Sequence, residues 1–222
     1  MRRPALSSFA LALVAACTSP TRLADADRTL RARTPALHAV VRTPETFSVI
    51  TPSDAAVSGL GIPGAIAANQ MYERAGESMR TRHQLPDPAL RVAEGVAAAL
   101  REEFRAPELA LPPAPAADAE PEAIAARFET GVVLDVRTNN SHVVYFSTDW
   151  THYQLRYGAS ARLLEAPSGR VLWKGDCWIG GDPARRSPTF EQLVADDAAK
   201  LKAKLAAAGA ECVRQLRARL VR

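Results

Sequence analysis

The sequence has few of the residues that most catalytic and metal-binding sites require. Its 222 residues include only three cysteines and four histidines, and none of them shows the short Cys-x-x-Cys or His spacing of a zinc site. No G-x-S-x-G elbow, H-E-x-x-H helix or P-loop occurs either. We therefore expect no enzymatic activity, no catalytic residue, no metal and no cofactor.

Long hydrophobic runs are absent as well. The apolar run at residues 9–16 is far shorter than the ~20 residues of a membrane-spanning helix. It follows Arg2 and Arg3 and ends at Ala15 and Ala16, which is the order of regions in a secretory signal peptide. A buried helix would not begin behind two arginines and end at Ala-Ala-Cys. We therefore predict that residues 1–16 are a signal peptide and are cleaved.

Cys17 directly follows this segment. Residues 14–17 (Val-Ala-Ala-Cys) resemble the bacterial lipobox, and the resemblance implies a diacylglyceryl group on the Cys17 sulfur and a further acyl chain, such as palmitate, on its amine. At ~0.8 kcal/mol per buried CH₂, two or three chains anchor a protein stably in the lipid bilayer. Residue 18 is Thr and not Asp, which in bacterial lipoproteins points to the outer membrane. We therefore expect the protein at the periplasmic face of the outer membrane.

The chain has little net charge and little lysine. The 28 basic and 24 acidic side chains give a net charge of +4, and loss of Arg2 and Arg3 with the signal peptide reduces it to +2. A nucleic-acid-binding protein needs a basic stripe, so we expect no nucleic acid as a partner. Lysine occurs only at positions 174, 200, 202 and 204. Together with the many alanines, this indicates a GC-rich genome and not a binding function.

Two cysteines remain once Cys17 is assigned to lipid. Cys177 lies on the apolar face of a predicted strand, and Cys212 lies on the apolar stripe of a predicted C-terminal helix. An exported chain folds in an oxidising compartment, so we predict a Cys177–Cys212 disulfide, with two buried free thiols as the alternative. The strand face comprises Val171, Trp173, Cys177 and Ile179, and the helix stripe comprises Phe190, Val194, Leu201, Leu205, Ala208, Cys212, Leu216 and Leu220.

The order of elements predicts an α+β fold, in which a small antiparallel (mixed) sheet packs against helices and a long C-terminal helix closes the chain. A strand at residues 47–51 precedes a helix that Asp87 caps and Pro88 starts. A short helix at 121–128 leads to strands from residue 131 onward, with turns at residues 139–141 and 167–169. The stripe predicted for the Asp87 helix is Leu90, Ala93, Ala97, Leu100 and Phe104.

Composition divides the mature chain into a lipidated tether at residues 17–45 and a single periplasmic domain at 46–222, with a proline-rich connection at 106–121. Residues 59–64 match G-x-G-x-x-G, but they do not directly follow a strand and Pro63 interrupts the turn. We therefore expect a glycine-rich loop that enters a helix near Pro63. Whether residues 55–71 contact the membrane or pack in the core stays open.

Polar and aromatic residues gather in the loop predicted at residues 138–152 and on the polar face of the strand that follows. A metal site there would need a third ligand, and a hydrolytic site would need a nucleophile such as Ser147 or Thr151. The alternative interpretation is that these residues are ordinary loop side chains without a binding function. The predicted binding face comprises His142, Trp150, His152, Gln154, Arg156 and Arg162.

Residues 147–177 (STDWTHYQLRYGASARLLEAPSGRVLWKGDC) and 193–213 (LVADDAAKLKAKLAAAGAECV) resemble a group of proteobacterial lipoproteins to which no activity is assigned. The order of elements is also similar to that of the small α/β domains of curli-secretion and penicillin-binding-protein-activator lipoproteins. These resemblances imply an envelope location. We expect a lipoprotein that binds an envelope protein and assists assembly of an outer-membrane or trans-envelope complex. A small-ligand or peptidoglycan-binding module is the alternative, and a hydrolase is a less favoured third.

Replacement of Cys17 tests the anchor. Cys17→Ser removes the sulfur that carries the diacylglyceryl group, so the protein should lose labelled palmitate and leave the membrane fraction. Metabolic labelling and cell fractionation measure both effects, with Cys177→Ser as the control that keeps Cys17. Unchanged palmitate incorporation in Cys17→Ser would contradict lipidation at this residue.

Overall fold

A five-stranded mixed sheet forms the centre of the fold. The computed structural model describes residues 36–42, 46–104, 120–181 and 183–220. β3 and β4 form a long antiparallel hairpin, β5 pairs antiparallel with β4, and β1 and β2 both pair parallel with the other side of β3. The strands are β1 Leu37–Val41, β2 Ser48–Ile50, β3 Val132–Phe146, β4 Asp149–Glu165 and β5 Arg170–Ile179.

Helices cover mainly one side of this sheet. α3 and α5 share a buried cluster with one face, here called the inner face, whereas α4 packs on the opposite, outer face. The predicted α+β class with a long C-terminal helix is confirmed. No helix in the described ranges has the length and apolar character that a membrane span requires. The helices are α1 Pro52–Ser58, α2 Gly61–His83, α3 Pro88–Phe104, α4 Pro121–Ala125 and α5 Phe190–Leu220.

The inner face is apolar because alternate residues of the long strands are apolar. Fully burying one Val or Leu side chain contributes roughly 1.5–3 kcal/mol, so this layer supplies much of the free energy of folding. The predicted alternation on β4 is confirmed. Buried residues of this face include Val132, Leu134, Val136, Val143, Tyr153, Leu155, Tyr157, Ala159, Ala161 and Leu163.

α3 begins as predicted, but its buried stripe differs. The Asp87 carboxylate accepts the Ala89 N–H at 2.9 Å, and proline at the first helical position has no N–H that would be left unpaired. Leu90 is 48% exposed, so its assignment to the stripe is wrong. The stripe is rotated toward two valines, and its buried residues are Ala89, Val92, Ala93, Val96, Ala97 and Leu100.

α5 starts with a capping box. The Thr189 hydroxyl accepts the Gln192 N–H at 3.4 Å, and the Gln192 side chain accepts the Thr189 N–H at 3.2 Å. Helical geometry is then interrupted at Ala195, and Asp196, Asp197 and Ala198 have positive φ angles. Both aspartates therefore lie at an interruption of α5 and not in regular helical backbone. The stripe from Leu201 to Leu220 is buried as predicted.

The chain joins the sheet earlier than the sequence predicts. β1 pairs with Val132–Val136 of β3, so residues 37–41 belong to the domain and not to the tether assigned to residues 17–45. A five-residue strand that pairs with a segment more than 90 residues away carries no local turn signal. The signal peptide, Cys17, residues 18–35 and most of the proline-rich connection lie outside the described residues.

β3 continues through the predicted turn at residues 139–141. It runs to Phe146 and contains a β-bulge between Thr138 and Asn140, which accommodates the polar residues without ending the strand. The loop predicted at 138–152 is therefore mostly strand, and only Ser147 and Thr148 form the turn between β3 and β4.

The helix predicted near Pro63 is confirmed, because α2 begins at Gly61. The residues before it form α1 and a two-residue turn and not an extended loop. α1 and most of α2 make a helical hairpin, and the buried residues of α2 are Gly64, Ala68, Tyr72 and Gly76. A Cβ atom on Gly76 would lie 1.7 Å from the Phe47 carbonyl oxygen. The glycine thus lets α2 contact the backbone next to β2.

A disulfide joins β5 to α5, which confirms the predicted pairing. The Cα atoms of Cys177 and Cys212 are 5.3 Å apart, a separation typical of disulfides. Both residues are buried in the inner core, so the bond is shielded from solvent.

Removal of the disulfide should destabilise the domain. The bond joins residues 35 positions apart, and in the chain-entropy model a loop of this length contributes about 3–4 kcal/mol. Urea unfolding of the oxidised protein and of Cys177→Ala/Cys212→Ala measures the difference. An equal free energy of unfolding, or two free thiols in the denatured wild-type protein, would contradict the disulfide.

Candidate binding surface

The outer face of the sheet is polar beyond the area that α4 covers. α4 protects a small apolar cluster of Val40, Ile124, Ala125, Val133 and Leu164. The neighbouring part of this face, here called the outer surface, contains outward-facing residues of four strands. They are Arg42, Asp135, Arg137, His142, Arg156, Ser160, Arg162, Lys174, Asp176 and Trp178.

A buried ion cluster lies at the centre of the outer surface. Asp135 is 1% exposed and lies between Arg42, at 2.9 Å, and Arg162, at 2.7 Å. Removing one partner from a buried ion pair typically costs about 3–5 kcal/mol, so the three residues hold β1, β3 and β4 together. The cluster places two guanidinium groups and one carboxylate at the centre of this face. The positive charge that a partner can reach comes from the exposed cations beside it, Arg156 and Lys174.

Arg156 extends the positive charge to solvent. It lies opposite His142 across the β3–β4 pair, and its side chain is exposed. Burial, reinforced by the positive charge of Arg156, lowers the pKa of His142 below its usual value. His142 is therefore neutral at pH 7, and Arg156 supplies the charge of this pair.

Trp178 forms a flat aromatic surface beside Arg156. A Cβ atom on Gly158 would lie 2.9 Å from the Trp178 ring, so the glycine lets the indole rest on the neighbouring strand. Gly180 lies close to both the Arg156 stem and the indole nitrogen. Trp178 is nevertheless 54% exposed, so a ligand can contact one side of the ring.

The free edge of β5 is occupied by α5 next to this indole. The Gln215 side chain accepts the Trp178 N–H and donates to the Trp178 carbonyl, both at 3.2 Å. Arg219 donates to the Asp176 carbonyl. These bonds satisfy edge groups that could otherwise pair with another strand. A partner therefore has access to the face of the sheet here and not to its edge.

Two of the six predicted face residues are engaged inside the domain. Gln154 is 4% exposed, and its side-chain oxygen accepts the Gly181 N–H at 3.3 Å. Arg162 is bound to Asp135. The expected exposure of Gln154 is wrong, because residues after β5 cover it. Arg162 is partly exposed, and its guanidinium is paired with the buried Asp135. His142 is half-buried, and Arg156 remains exposed.

The other two predicted residues lie at the β3–β4 turn. Trp150 is 66% exposed, and its indole N–H donates to the Ser147 carbonyl. His152 contacts Asp149 at 2.6 Å through Nδ1. The Thr151 hydroxyl is the main cause that lowers the pKa of Asp149 to about 2, and its backbone N–H and His152 add to the effect.

This turn lacks the geometry of a hydrolytic triad. In a triad the carboxylate and the nucleophile use different nitrogens of the histidine ring. Here Asp149 and the Thr151 hydroxyl both contact Nδ1 of His152, at 2.6 and 3.1 Å. The hydroxyl also donates to Asp149 at 2.7 Å. The group is therefore suited to fixing the turn.

A second polar group, which the sequence analysis missed, lies in a cleft beside α3. The Thr138 hydroxyl donates to Asp87 at 3.0 Å and lies 3.2 Å from the Tyr157 hydroxyl. Burial raises the pKa of both Asp87 and Tyr157. The bulge turns Thr138 and Ser141 toward the same cleft. The sequence predicts Asp87 only as an N-cap, and its contact with Thr138, 51 residues away, has no signal in the local sequence.

Metal ligands are not grouped in the described part of the chain, where no three His, Cys, Asp or Glu side chains come together. The closest approach to such a set is Asp149 with His152. The arrangement on the outer surface is instead that of cations and one aromatic ring, which bind anionic or flat apolar groups.

Comparisons with known proteins give remote likenesses. No family model and no curated protein matches the chain. The lipoprotein GNA1162 from Neisseria meningitidis is similar at 15% identity and TM-score 0.29, over 81% of this chain and 99% of that chain. The PelC dodecamer from Paraburkholderia phytofirmans is similar at 13% identity and TM-score 0.35, over 84% and 89%.

A DUF330 protein from Xanthomonas campestris is similar at 12% identity and TM-score 0.30, over 84% of this chain and 81% of that chain. At these TM-scores the likeness supports no inference about the family or the function of the chain.

The pH dependence of stability should reveal the buried Asp87. Its folded-state pKa is raised above the ordinary value of 3.8, so the folded protein holds this proton more tightly and its stability falls as pH rises above about 4. Asp87→Asn keeps an N-cap residue and removes the titration. Urea unfolding between pH 4 and 7 should show that the free energy of unfolding of the variant increases relative to that of the wild-type protein as pH rises. Parallel curves would contradict the raised pKa.

Proposed function

We propose that the chain is a non-enzymatic lipoprotein, anchored at the periplasmic face of the outer membrane through Cys17, whose outer surface binds an acidic partner protein. In this function the domain assists assembly of an outer-membrane or trans-envelope complex. The observation that carries the proposal is the charge of the outer surface. Among the described residues of this surface, the exposed or partly exposed cations Arg137, Arg156, Arg162 and Lys174 outnumber the carboxylates Asp135 and Asp176.

The position of these charges favours a protein partner. The cations lie on rigid strands, and the buried Asp135 holds Arg162 in place, so little side-chain freedom is lost on binding. Lys174 and Arg156 are exposed. Complementary charge at an interface speeds association and selects the partner.

The non-enzymatic part of the proposal is supported by the two polar groups outside the surface. Asp149, Thr151 and His152 bond one another at the turn. Asp87 caps a helix and is shared with Thr138. Each group has a structural role that accounts for its contacts.

A cell-wall-binding module is the second candidate, and Trp178 is the observation that favours it. An exposed indole beside an arginine offers a flat apolar surface together with hydrogen-bond donors, which suits a sugar ring of peptidoglycan. The two candidates predict different bound molecules at the same surface.

Photocrosslinking in cells separates them. A photoreactive residue at Lys174 should form a protein adduct, and the same residue at Arg82, on exposed α2, should not. Arg156→Glu should reduce the adduct about fivefold or more, which corresponds to 1–2 kcal/mol. Arg82→Glu is the matched charge reversal and should leave the adduct unchanged.

An adduct at Lys174 that Arg156→Glu does not reduce would contradict the charged interface. A glycan adduct, together with sedimentation of the protein with purified cell wall, would favour the second candidate. The isolated protein complex should also dissociate more readily as ionic strength rises, because salt screens exposed charges.

A further inference from the structure

The helical hairpin of α1 and α2 ends in an apolar tip. The hairpin tip is defined here as residues 56–67, which include the end of α1 and the start of α2. Leu60 is 75% exposed, Ile62 is 79% exposed and Ile66 is 57% exposed. No described residue covers these side chains. Clustered exposed aliphatic groups mark a surface that binds lipid or protein.

The hairpin lacks charge over a longer stretch. Residues 55–72 contain no Asp, Glu, Lys or Arg, whereas 23% of all residues in the chain are charged. A stretch of this length would carry about four charges at the average frequency. A solvated helical hairpin has no physical reason to avoid charge, whereas a group that enters hydrocarbon has one.

Polarity is ordered along the hairpin. The exposed residues of α2 are apolar up to Ala67, then uncharged at Asn69, Gln70 and the 40% exposed Met71, and charged from Glu73 and Arg74. At 1.5 Å per residue, the apolar section from Ile62 to Ala67 is roughly 8 Å long, and Glu73 lies roughly 16 Å beyond Ile62 along the helix. Helices that bind at a membrane interface bury their apolar side by ~5–10 Å, which is similar to the length of the apolar section.

Exposed apolar residues occur on more than one side of the tip. Gly64 faces α1, because a Cβ atom there would lie 2.3 Å from the Val57 carbonyl oxygen, and Ile62 and Ile66 lie on the opposite side of α2. Ala56 of α1 and Ala65 and Ala67 of α2 are exposed as well, and α1 has no buried residue. A lipid phase can contact all of these sides at once, which a second protein covering only the isoleucines would not.

We propose that the hairpin tip inserts into the lipid surface to which the chain is anchored. Insertion places Leu60 and Ile62 among the acyl chains and leaves Glu73 and Arg74 in water. It therefore gives the domain a second contact with the bilayer, and this contact fixes the orientation of the outer surface. The location of the domain at this bilayer rests on the proposed Cys17 anchor.

The length of the N-terminal segment permits both contacts. Cys17 precedes Ala36 by 19 residues, which span at most about 63–68 Å when extended. β1 starts opposite Val132, and β2 leads into α1 opposite Val144, so the anchor enters at the far end of the sheet from the hairpin. β3, with 15 residues, is about 50 Å long. The segment is therefore long enough.

Depth-dependent fluorescence quenching tests the insertion without relying on acylation in cells. The mature chain, with its disulfide intact, is coupled through Cys17 to maleimide lipid in vesicles of phosphatidylethanolamine and phosphatidylglycerol. An environment-sensitive fluorescent amino acid stands at Leu60 or, as the control, at Leu90 of α3, an equally apolar residue that is 48% exposed. Spin-labelled acyl chains should quench the probe at position 60 at least threefold more than at position 90.

Ile62→Glu/Ile66→Glu should abolish the difference, because both side chains are exposed and charge opposes insertion; circular dichroism verifies that the variant is folded. Equal quenching at positions 60 and 90 would overturn the proposal. A blue shift of the probe at position 60 that increases with protein concentration, without quenching by the spin-labelled lipid, would also overturn it. That result would mean that a second copy of the chain covers the tip. Absence of lipidation in cells would refute the proposed anchor and leave this result unaffected.

Discussion

Apolar packing of α3 and α5 on the inner face of the sheet is the interaction on which the rest of the structure depends. The helices approach closely because Gly95 has no side chain to meet Val213, and Gly209 has none to meet Pro88. The disulfide then joins α5 to β5. Since both long helices occupy one face, the described helices cover the opposite face only where α4 lies. The charged outer surface is a consequence of this one-sided packing.

One-sided packing also explains which parts of the fold the sequence predicts. A strand with one apolar and one polar face has a period of two, which identifies β4, and a helix on the same core has the stripe that identifies α5. The disulfide could be predicted because each cysteine belongs to the core-facing side of its helix or strand. Two of the predicted face residues, Arg156 and Trp150, are exposed, and within the described ranges no distant segment lies over them.

The remaining features depend on contacts between distant segments, which periodicity does not report. β1 is short and pairs with residues more than 90 positions away. The β-bulge between Thr138 and Asn140 keeps the polar residues 139–141, which were predicted as a turn, within β3. Gln154 is buried by the Gly181 segment, and Arg162 is held by Asp135. Of the hairpin, α2 was predicted to begin near Pro63, whereas α1 was missed because the glycine-rich sequence that follows it favours a loop locally.

The central claim is that the outer surface, left open by the helices, is covered by a partner in the cell envelope. Arginine-specific chemical modification, read by mass spectrometry in intact envelopes and in the purified protein, tests it most directly. The account predicts that Arg156 reacts in the purified protein and is protected in envelopes, whereas Arg82 reacts in both. Equal reactivity of Arg156 in the two preparations would contradict the account.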